Sequence, residues 1–195
     1  IVDGIREAGA VPTIQLNHAG RKASTGCFAV GYDGQNVPEE AGGWPTMAPS
    51  EIAFGGLRTP RALSVDEIHG LVGAFAVAAG RAVAAGFQAI QIHAAHGYLI
   101  SQFLDPLSNE RDDEYGGDLT GRSRFLVEVV DAVRGAVPEG VPVLVRISAT
   151  DWAAGGWDLD QTIALSKVLK EHGVDVMDVS TGGIMSGVSI PVKPN

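Results

Sequence analysis

The sequence is short of cysteine and of positive charge, and each shortage excludes a class of protein. Cys27 is the only cysteine among 195 residues, so an intrachain disulfide and a multi-cysteine metal site are both excluded. Lysine and arginine number 14 against 23 aspartate and glutamate residues, which gives a formal net charge of −9. A nucleic-acid binder usually carries a basic patch, whereas the basic residues here are scattered. We therefore expect no nucleic-acid partner, and the single cysteine favours a cytoplasmic protein.

The sequence also lacks a long uninterrupted apolar run and a glycine-rich phosphate-binding fingerprint. Its most apolar segment, residues 74–86, is rich in alanine and is interrupted by Arg81. We therefore predict a packed helix there and no membrane-spanning segment. No GxGxxG pattern follows an apolar segment, which disfavours a dinucleotide-binding fold of that type.

Helix-like and strand-like segments alternate along the chain. Four short apolar segments read as strands, at residues 11–16, 87–93, 141–148 and 174–181. Amphipathic helices are predicted between them, at about residues 64–85, 120–137 and 159–172. Ser64 and Glu67 have the spacing of a capping box at the first of these helix starts. Strands joined by helices predict one parallel α/β domain over residues 1–195.

Two long connections follow predicted strands, at residues 17–63 and 94–118. Loops of that length are usually functional or contain a small substructure, and residues 47–54 are a candidate strand of a hairpin. The alternation alone allows a (β/α) barrel or an open doubly wound sheet. Long loops after the strands favour the barrel, because barrel active sites are built from those loops.

Each predicted strand ends in polar side chains. These are Gln15, His93, Arg146, Ser180 and Thr181. The carboxyl ends of parallel strands lie on one side of the sheet, where the catalytic residues of barrels are found. Polar residues are also common at strand ends simply because those ends meet solvent. We interpret this set as a shared site.

His93 and His96 lie three residues apart, with Tyr98 close behind, and three interpretations are open. The histidines could bind a divalent metal ion together with Asp105 or Glu110, although no HExxH motif is present. They could instead donate N–H groups to one oxygen while Tyr98 supplies a proton. They could also be structural, bonded to backbone carbonyls.

Arg146 ends a segment that we expect to be largely buried. A buried guanidinium is costly unless it is paired, either with a carboxylate or with an anionic ligand. A reduced flavin is such a ligand, and Gln15 could hydrogen-bond the same ring system. The charged run at residues 109–118 is more typical of a self-paired loop than of a catalytic acid cluster.

Four stretches of the sequence resemble one known family. They are residues 14–23 (IQLNHAGRKA), 93–134 (beginning HAAHGYLISQFLDP), 143–148 (VLVRIS) and 174–183 (VDVMDVSTGG). Together they resemble the old yellow enzyme family of flavin ene-reductases, and most closely its bacterial NADPH dehydrogenase subgroup. The stretch at residues 93–125 is the most specific of these.

The resemblance implies a (β/α)8 TIM barrel that holds FMN at its C-terminal mouth and takes electrons from NADPH or NADH. The flavin would pass a hydride to the β-carbon of an α,β-unsaturated carbonyl compound, or reduce a related nitro compound or quinone. His93 and His96 would bind the carbonyl oxygen, Tyr98 would protonate the α-carbon, and Gln15 and Arg146 would hold the pyrimidine edge of the flavin. A homo-oligomer is also implied. Arg21 and Lys22 adjoin this site as secondary candidates.

The sequence departs from the family pattern in two residues and in length. Asp105 stands where the family usually has serine, and Gly121 where it often has asparagine; both are expected at loop or cap positions, with small effects. The matching stretches cover about strands 3 to 6 of the barrel. We therefore expect the isolated chain to bind FMN poorly and to expose apolar inner-face side chains. A metal-dependent barrel hydrolase and a non-catalytic fragment remain alternatives.

Overall fold

A computed structural model describes residues 1–26 and 34–191 of the chain, so Cys27 lies outside the described residues. The strands are β1 (Thr13–Leu16), β2 (Met47–Ala48), β3 (Arg61–Ala62), β4 (Ala89–Ala94), β5 (Val143–Ser148) and β6 (Val176–Ser180). The helices are α1 (Val2–Glu7), α2 (Val65–Ala84), α3 (Leu99–Leu104), α4 (Leu119–Ala136) and α5 (Leu159–Glu171). Two single 3₁₀ turns lie at Gly20–Lys22 and Glu39–Ala41.

The main sheet has four parallel strands in the order β1-β4-β5-β6. Helix α2 connects β1 to β4 through the long loop, α4 connects β4 to β5, and α5 connects β5 to β6. The four predicted strands and the three long helices are confirmed, with ends that differ by a few residues. This succession of strand and helix is the repeating unit of the predicted barrel.

Side chains at the helix starts fix where the long helices begin. Ser64 and Glu67 form the predicted capping box, in which each side chain bonds the backbone N–H of the other residue. Asp158 accepts a hydrogen bond of 2.9 Å from the backbone N–H of Gln161 at the start of α5. These bonds satisfy N–H groups that have no partner inside a helix.

The two faces of the main sheet differ in burial. One face carries Ile90 and Ile92 on β4 and Val143 and Val145 on β5, all fully buried beneath the helices. The opposite face carries alternate residues and is only partly covered, because Arg146 and its neighbour Leu144 are half-buried. The prediction of apolar side chains on this open face is wrong for most positions, since polar residues dominate it.

Two details of the long loops correct the sequence-based predictions. Residues 47–54 do not form a hairpin strand: only Met47 and Ala48 are extended, and they pair in parallel with Arg61 and Ala62. The predicted loop at 94–118 contains helix α3, whose six residues are all buried. Both elements are too short for a hydrophobic period to be recognised in the sequence.

Helix α2 is long and apolar enough to cross a membrane by length and composition, with a mean hydropathy of 1.2 over its most apolar window. The prediction that no segment meets this criterion is therefore wrong. In the fold, however, α2 packs against α4 and contributes Ile68, Phe75 and Ala79 to the core. A core helix rich in alanine meets the same criterion, so this finding is weak evidence for a membrane span.

Candidate active site

The pairing register places the predicted site residues on the open face of the sheet. Gln15 on β1 lies opposite Gln91 on β4, and His93 lies opposite Arg146 on β5. Arg146 in turn lies opposite Asp178 on β6. Side chains of directly paired residues point to the same face of a sheet. The predicted convergence of Gln15, His93 and Arg146 is therefore confirmed.

The two histidines and the tyrosine gather where β4 ends. The ring centroids of His93 and His96 are 5.1 Å apart, and those of His93 and Tyr98 are 5.3 Å apart. His93 is the last but one residue of β4 and is buried, whereas His96 and Tyr98 are half-buried. The turn between them depends on Gly97, whose φ is +69° and whose Cα lies too close to Gly183 for a side chain.

Burial sets the charge of both imidazoles. Desolvation, and after it the charges of the nearby His96 and Arg146, lower the pKa of His93 to about 4, against the opposing charge of Asp178. Desolvation also lowers the pKa of His96, with Arg146 and Lys22 acting in the same direction. Both rings are therefore neutral at neutral pH, and each can donate one N–H.

Three contacts hold His96 in an uncommon backbone conformation with φ of +59°. Its backbone N–H donates to Oγ of Ser148 at 2.9 Å, and Nε2 of its ring lies 2.7 Å from Oγ of Ser180. The ammonium of Lys22 donates to its carbonyl oxygen at 2.8 Å. A non-glycine residue adopts this conformation only when its surroundings impose it.

Lys22 and Arg21 are more closely involved than their sequence position suggested. Nζ of Lys22 also donates to the carbonyl oxygen of Gly183 at 2.5 Å and lies 3.9 Å from the ring centroid of Phe54. Desolvation lowers the pKa of Lys22 to about 8, assisted by the charge of Arg21. Arg21 is buried and donates to the carbonyl oxygen of Ile184 at 2.6 Å. Both side chains thus join the loops that follow β1 and β6.

Arg146 differs from its predicted surroundings. Its side chain is 36% exposed rather than largely buried, and its Nε lies 3.5 Å from Oδ2 of Asp178. This contact is an ion pair with a carboxylate, one of the two partners expected, but it is too long for a good hydrogen bond, and Nε is buried with no hydrogen-bond partner among the described residues. Nδ1 of His93 is likewise buried and has no partner in the part of the chain that the structure describes. Buried polar atoms of this kind require a partner, so they fit a polar ligand on this face.

A chain of amides completes the open face. Nε2 of Gln15 donates to Oε1 of Gln91 at 2.6 Å, and Nε2 of Gln91 donates to Oδ2 of Asp178 at 2.9 Å. Neither Gln91 nor Asp178 was among the site residues predicted from the sequence. The period-2 alternation within β4 and β6 could have revealed them, because each lies two residues before a predicted strand-end polar residue, His93 or Ser180.

In the part of the chain that the structure describes, no third side chain joins His93 and His96 as a metal ligand. Within residues 1–26 and 34–191, no group of three or more histidine, cysteine, aspartate or glutamate side chains is arranged to hold a metal ion. Glu110 lies in a different part of the structure, where its backbone N–H donates to Oγ of Ser50. In the charged loop that contains it, Arg111 and Asp113 form an ion pair, which confirms the self-paired interpretation.

Asp105, the second possible metal ligand, is buried against another carboxyl group. Asp105 and Asp151 are 1% and 2% exposed, and their side chains lie within hydrogen-bonding reach of each other. Burial and then the bond to Asp105 raise the pKa of Asp151, against a backbone N–H from Trp157 that favours the charged form. Asp105 is the C-cap residue of α3, which confirms the expected cap position, and it is fully buried. Gly121 lies in the first turn of α4, where its backbone N–H donates to the N-cap Asp118 and a Cβ would collide with the carbonyl oxygen of Gly116.

A groove of about 430 Å³ lies elsewhere, between α4 and α5. Its lining includes Val127, Asp131, Val168 and His172, none of which belongs to the polar face of the sheet. The chemistry-bearing residues instead form an open surface at the carboxyl edge of the strands. That surface can bind an oxygen through two neutral imidazoles next to a phenol and can hydrogen-bond a polar ring through Gln15 and Arg146.

Comparisons with known proteins agree with this geometry. Residues 1–194 match the model of the NADH:flavin oxidoreductase / NADH oxidase family. An NADH:flavin oxidoreductase of Gibberella zeae is 46% identical and aligns with 92% of this chain and 47% of its own. An NADPH dehydrogenase of Clostridium acetobutylicum is 45% identical, with 94% of this chain and 50% of its own aligned.

Solved structures show the same relationship. The old yellow enzyme homologue from Zymomonas mobilis superposes with a TM-score of 0.76 at 31% identity, over 92% of this chain and 50% of that one. Morphinone reductase in complex with tetrahydroNAD superposes with a TM-score of 0.75 at 30% identity, over 91% and 51% of the two chains. These similarities confirm the predicted fold, a TIM barrel of which this chain supplies part.

The chain spans about half the length of the curated relatives it matches. The match nevertheless extends over nearly all of its residues, and it includes the four stretches on which the resemblance was based. The family implies FMN with NADPH or NADH as the cofactor pair, as predicted from the sequence. The chain belongs to the NADH:flavin oxidoreductase / NADH oxidase family, and it is related within that family to the old yellow enzymes.

Proposed function

We propose that the protein reduces the activated C=C bond of α,β-unsaturated carbonyl compounds, or of related nitro compounds and quinones, with electrons from NADPH or NADH. The observation that carries this proposal is the pair of neutral imidazoles, His93 and His96, beside the phenol of Tyr98. Family membership supports the oxidoreductase class and the flavin. The substrate class and the role of Tyr98 are inferred from the chemistry of these side chains.

The two histidines would act on the substrate oxygen. A neutral imidazole donates one N–H, and two donors directed at one carbonyl oxygen stabilise the negative charge that develops there. That charge develops when a hydride adds to the β-carbon, because the electrons move through the conjugated system onto oxygen. A protonated histidine would be costly in this buried place, as the lowered pKa of His93 indicates.

Tyr98 would complete the addition by donating its phenolic proton to the α-carbon. The substrate then gains a hydride and a proton, the nicotinamide cofactor is oxidised, and solvent returns a proton to the phenolate. Proton donation by a positioned side chain typically contributes about 10²- to 10⁴-fold to a rate. Tyr98 is held at the N-terminus of α3, where its carbonyl oxygen accepts a bond of 2.8 Å from the backbone of Gln102.

The open face fits FMN on two counts. Gln15 offers a donor and an acceptor, and Arg146 offers a cation whose buried Nε has no hydrogen-bond partner within residues 1–26 and 34–191. When bound, FMN supplies the hydride that it has received from the nicotinamide cofactor. Gln15 and Arg146 would hold the polar edge of its ring system. We also propose a homo-oligomer and a cytoplasmic location, on the resemblance and the composition respectively.

The test is an anaerobic visible spectrum of the purified protein with FMN, before and after NADPH and then cyclohexenone. Bound-flavin absorption bands that bleach with NADPH and return with cyclohexenone are expected. The 195-residue chain and a chain extended to the length of its relatives should be compared, because the sequence analysis predicts weak FMN binding by the former. A bleached spectrum that never returns with any activated alkene would contradict the proposed substrate class. No flavin binding by either chain would contradict the whole proposal.

A further inference from the structure

The open face contains a directional hydrogen-bond relay that ends at one carboxylate oxygen. Oδ2 of Asp178 accepts from Nε2 of Gln91 at 2.9 Å and lies 3.5 Å from Nε of Arg146. Oε1 of Gln91 in turn accepts from Nε2 of Gln15 at 2.6 Å. Both residues assigned to the flavin, Gln15 and Arg146, thus converge on a single oxygen of Asp178.

The carboxylate of Asp178 fixes which group donates and which accepts at each step of the relay. An ionised carboxylate only accepts hydrogen bonds, so Gln91 must direct its NH₂ group toward Asp178. Its carbonyl oxygen is then the only group left to face Gln15, so Gln15 must donate its own NH₂ group. The free carbonyl oxygen and second N–H of Gln15 are therefore left for a ligand in a fixed arrangement.

Strand pairing in the sheet brings the residues of this relay together, and their positions in the sequence do not indicate it. Gln91 and Asp178 belong to β4 and β6, which both pair with β5 and not with each other. Two strand spacings separate their backbones, on the order of 10 Å, and the side chains meet across β5. The residue of β5 opposite Gln91 is Leu144, which contributes no polar group to compete for either end.

We propose that Asp178 and Gln91 are positioning residues for the flavin: Asp178 orients the amide of Gln15 through Gln91 and holds the guanidinium of Arg146. The inference rests on the proposed function, because it assigns the ligand of Gln15 and Arg146 to FMN. The relay orders two groups before the ligand binds, which reduces the ordering cost of binding. The negative charge of Asp178 also offsets part of the positive charge that Arg146 brings to the flavin ring.

Two variants separate the orientation of Gln15 through Gln91 from the effect of the Asp178 charge on Arg146. Gln91→Met interrupts the relay but leaves the pair of Asp178 and Arg146 intact, so FMN affinity should fall about five- to tenfold, as for the loss of one net hydrogen bond. The reduction potential of bound FMN should change little. Asp178→Asn removes the charge that balances Arg146, so the potential should become more positive, because an unbalanced cation favours the reduced anionic flavin.

The measurements are FMN titration by fluorescence quenching, the absorption spectrum of bound FMN and its midpoint potential, all in the full-length protein. The double variant should bind FMN no more weakly than the weaker single variant, because an amide at position 178 can present either its NH₂ group or its oxygen and so no longer fixes the direction of the same relay that Gln91→Met interrupts. Thr13→Val is the matched control: it removes a polar side chain from the same face of β1, outside the relay, and should leave all three readouts unchanged.

The outcomes distinguish the two proposals. Unchanged affinity, spectrum and potential in both variants, with FMN bound by the unsubstituted protein, would overturn the relay and leave the proposed function standing. Additive losses in the double variant, or an equal loss in Thr13→Val, would also overturn it. An unsubstituted full-length protein that binds no FMN would overturn both proposals together.

Discussion

The ammonium nitrogen of Lys22 lies 2.8 Å from the carbonyl oxygen of His96, a residue 74 positions further along the chain. This bond joins the loop after β1 to the turn after β4, at the residue whose φ is +59°. A charged donor thus holds the backbone of a histidine that we place on the substrate. The site is therefore built from three loops that only the sheet brings together.

Replacing Lys22 with methionine should loosen His96 without removing a ring from the site. A hydrogen bond from a charged group contributes about 1.5–3 kcal/mol, so activity should fall by about ten- to a hundredfold. The measurement is steady-state turnover of cyclohexenone with NADPH. Lys167→Met, on the exposed surface of α5, is the matched control and should have no effect. Unchanged turnover in Lys22→Met would show that the hydrogen bond from Lys22 to His96 is not needed for activity.

The activity should show no titration of His93 between pH 5 and 8. Because desolvation lowers its pKa to about 4, this histidine is already neutral throughout that range. The unfolded chain, in contrast, binds a proton near the ordinary value of about 6.5. The contribution of His93 to stability should therefore fall as the pH drops from about 6.5 toward 4, because this residue binds more protons in the unfolded state.

This prediction can be checked by NMR titration of the imidazole resonances and by denaturant unfolding at several pH values. His93→Asn should remove part of the stability loss that occurs at acidic pH. His69→Asn, on the exposed side of α2, is the control and should not remove it. An imidazole resonance of His93 that titrates near pH 6.5 would contradict the assigned neutral donor.

Tyr98→Phe should slow only one half of the reaction. Reduction of the flavin by NADPH needs no proton from the phenol, so its rate should stay within about twofold. Transfer to the alkene should slow by about 10²- to 10⁴-fold, as expected for the loss of a general acid. Stopped-flow absorbance at the flavin band measures both halves separately. Equal slowing of both halves would indicate a structural role for Tyr98.

The buried pair of Asp105 and Asp151 should make stability fall with rising pH. The folded-state pKa of Asp151 is raised to about 8, while the unfolded value is near 3.9. The folded state therefore binds the extra proton between these values, and its contribution to stability is lost as the pH rises through that window. Asp151→Asn should flatten this dependence in denaturant unfolding measured from pH 4 to 8.

Asp105→Ser offers a second test of the same pair. Removing the neighbouring carboxylate should lower the pKa of Asp151, so part of the pH dependence should disappear. Asp112→Asn, at an exposed position of the charged loop, is the control and should leave the slope unchanged. If the stability of the unsubstituted protein relative to that of Asp151→Asn rises with pH over this range, the assigned direction of the Asp151 shift is wrong.

Much of the fold could be predicted because its causes are local. The capping box of Ser64 with Glu67 and the N-caps Asp118 and Asp158 mark helix starts within four residues of sequence. The apolar strands are short but are bounded by glycine and by helices on both sides. Helix α3 and strand β3 were missed, and the strand predicted at residues 47–54 proved to be only two residues long, because these elements are short and their stability depends on tertiary contacts. The resemblance supplied the roles of the site residues that local patterns left open.

The sequence by itself determined the order of strands and helices and the residues at the ends of the strands, because these depend on spacing and on neighbouring side chains. Only the tertiary structure decided which distant groups meet. Gln91 reaches Asp178 across β5, Lys22 reaches His96 between loops, and Asp105 reaches Asp151 within the buried interior. The physical reason is that strand pairing brings residues 46 to 87 positions apart into contact, and no local pattern records that pairing.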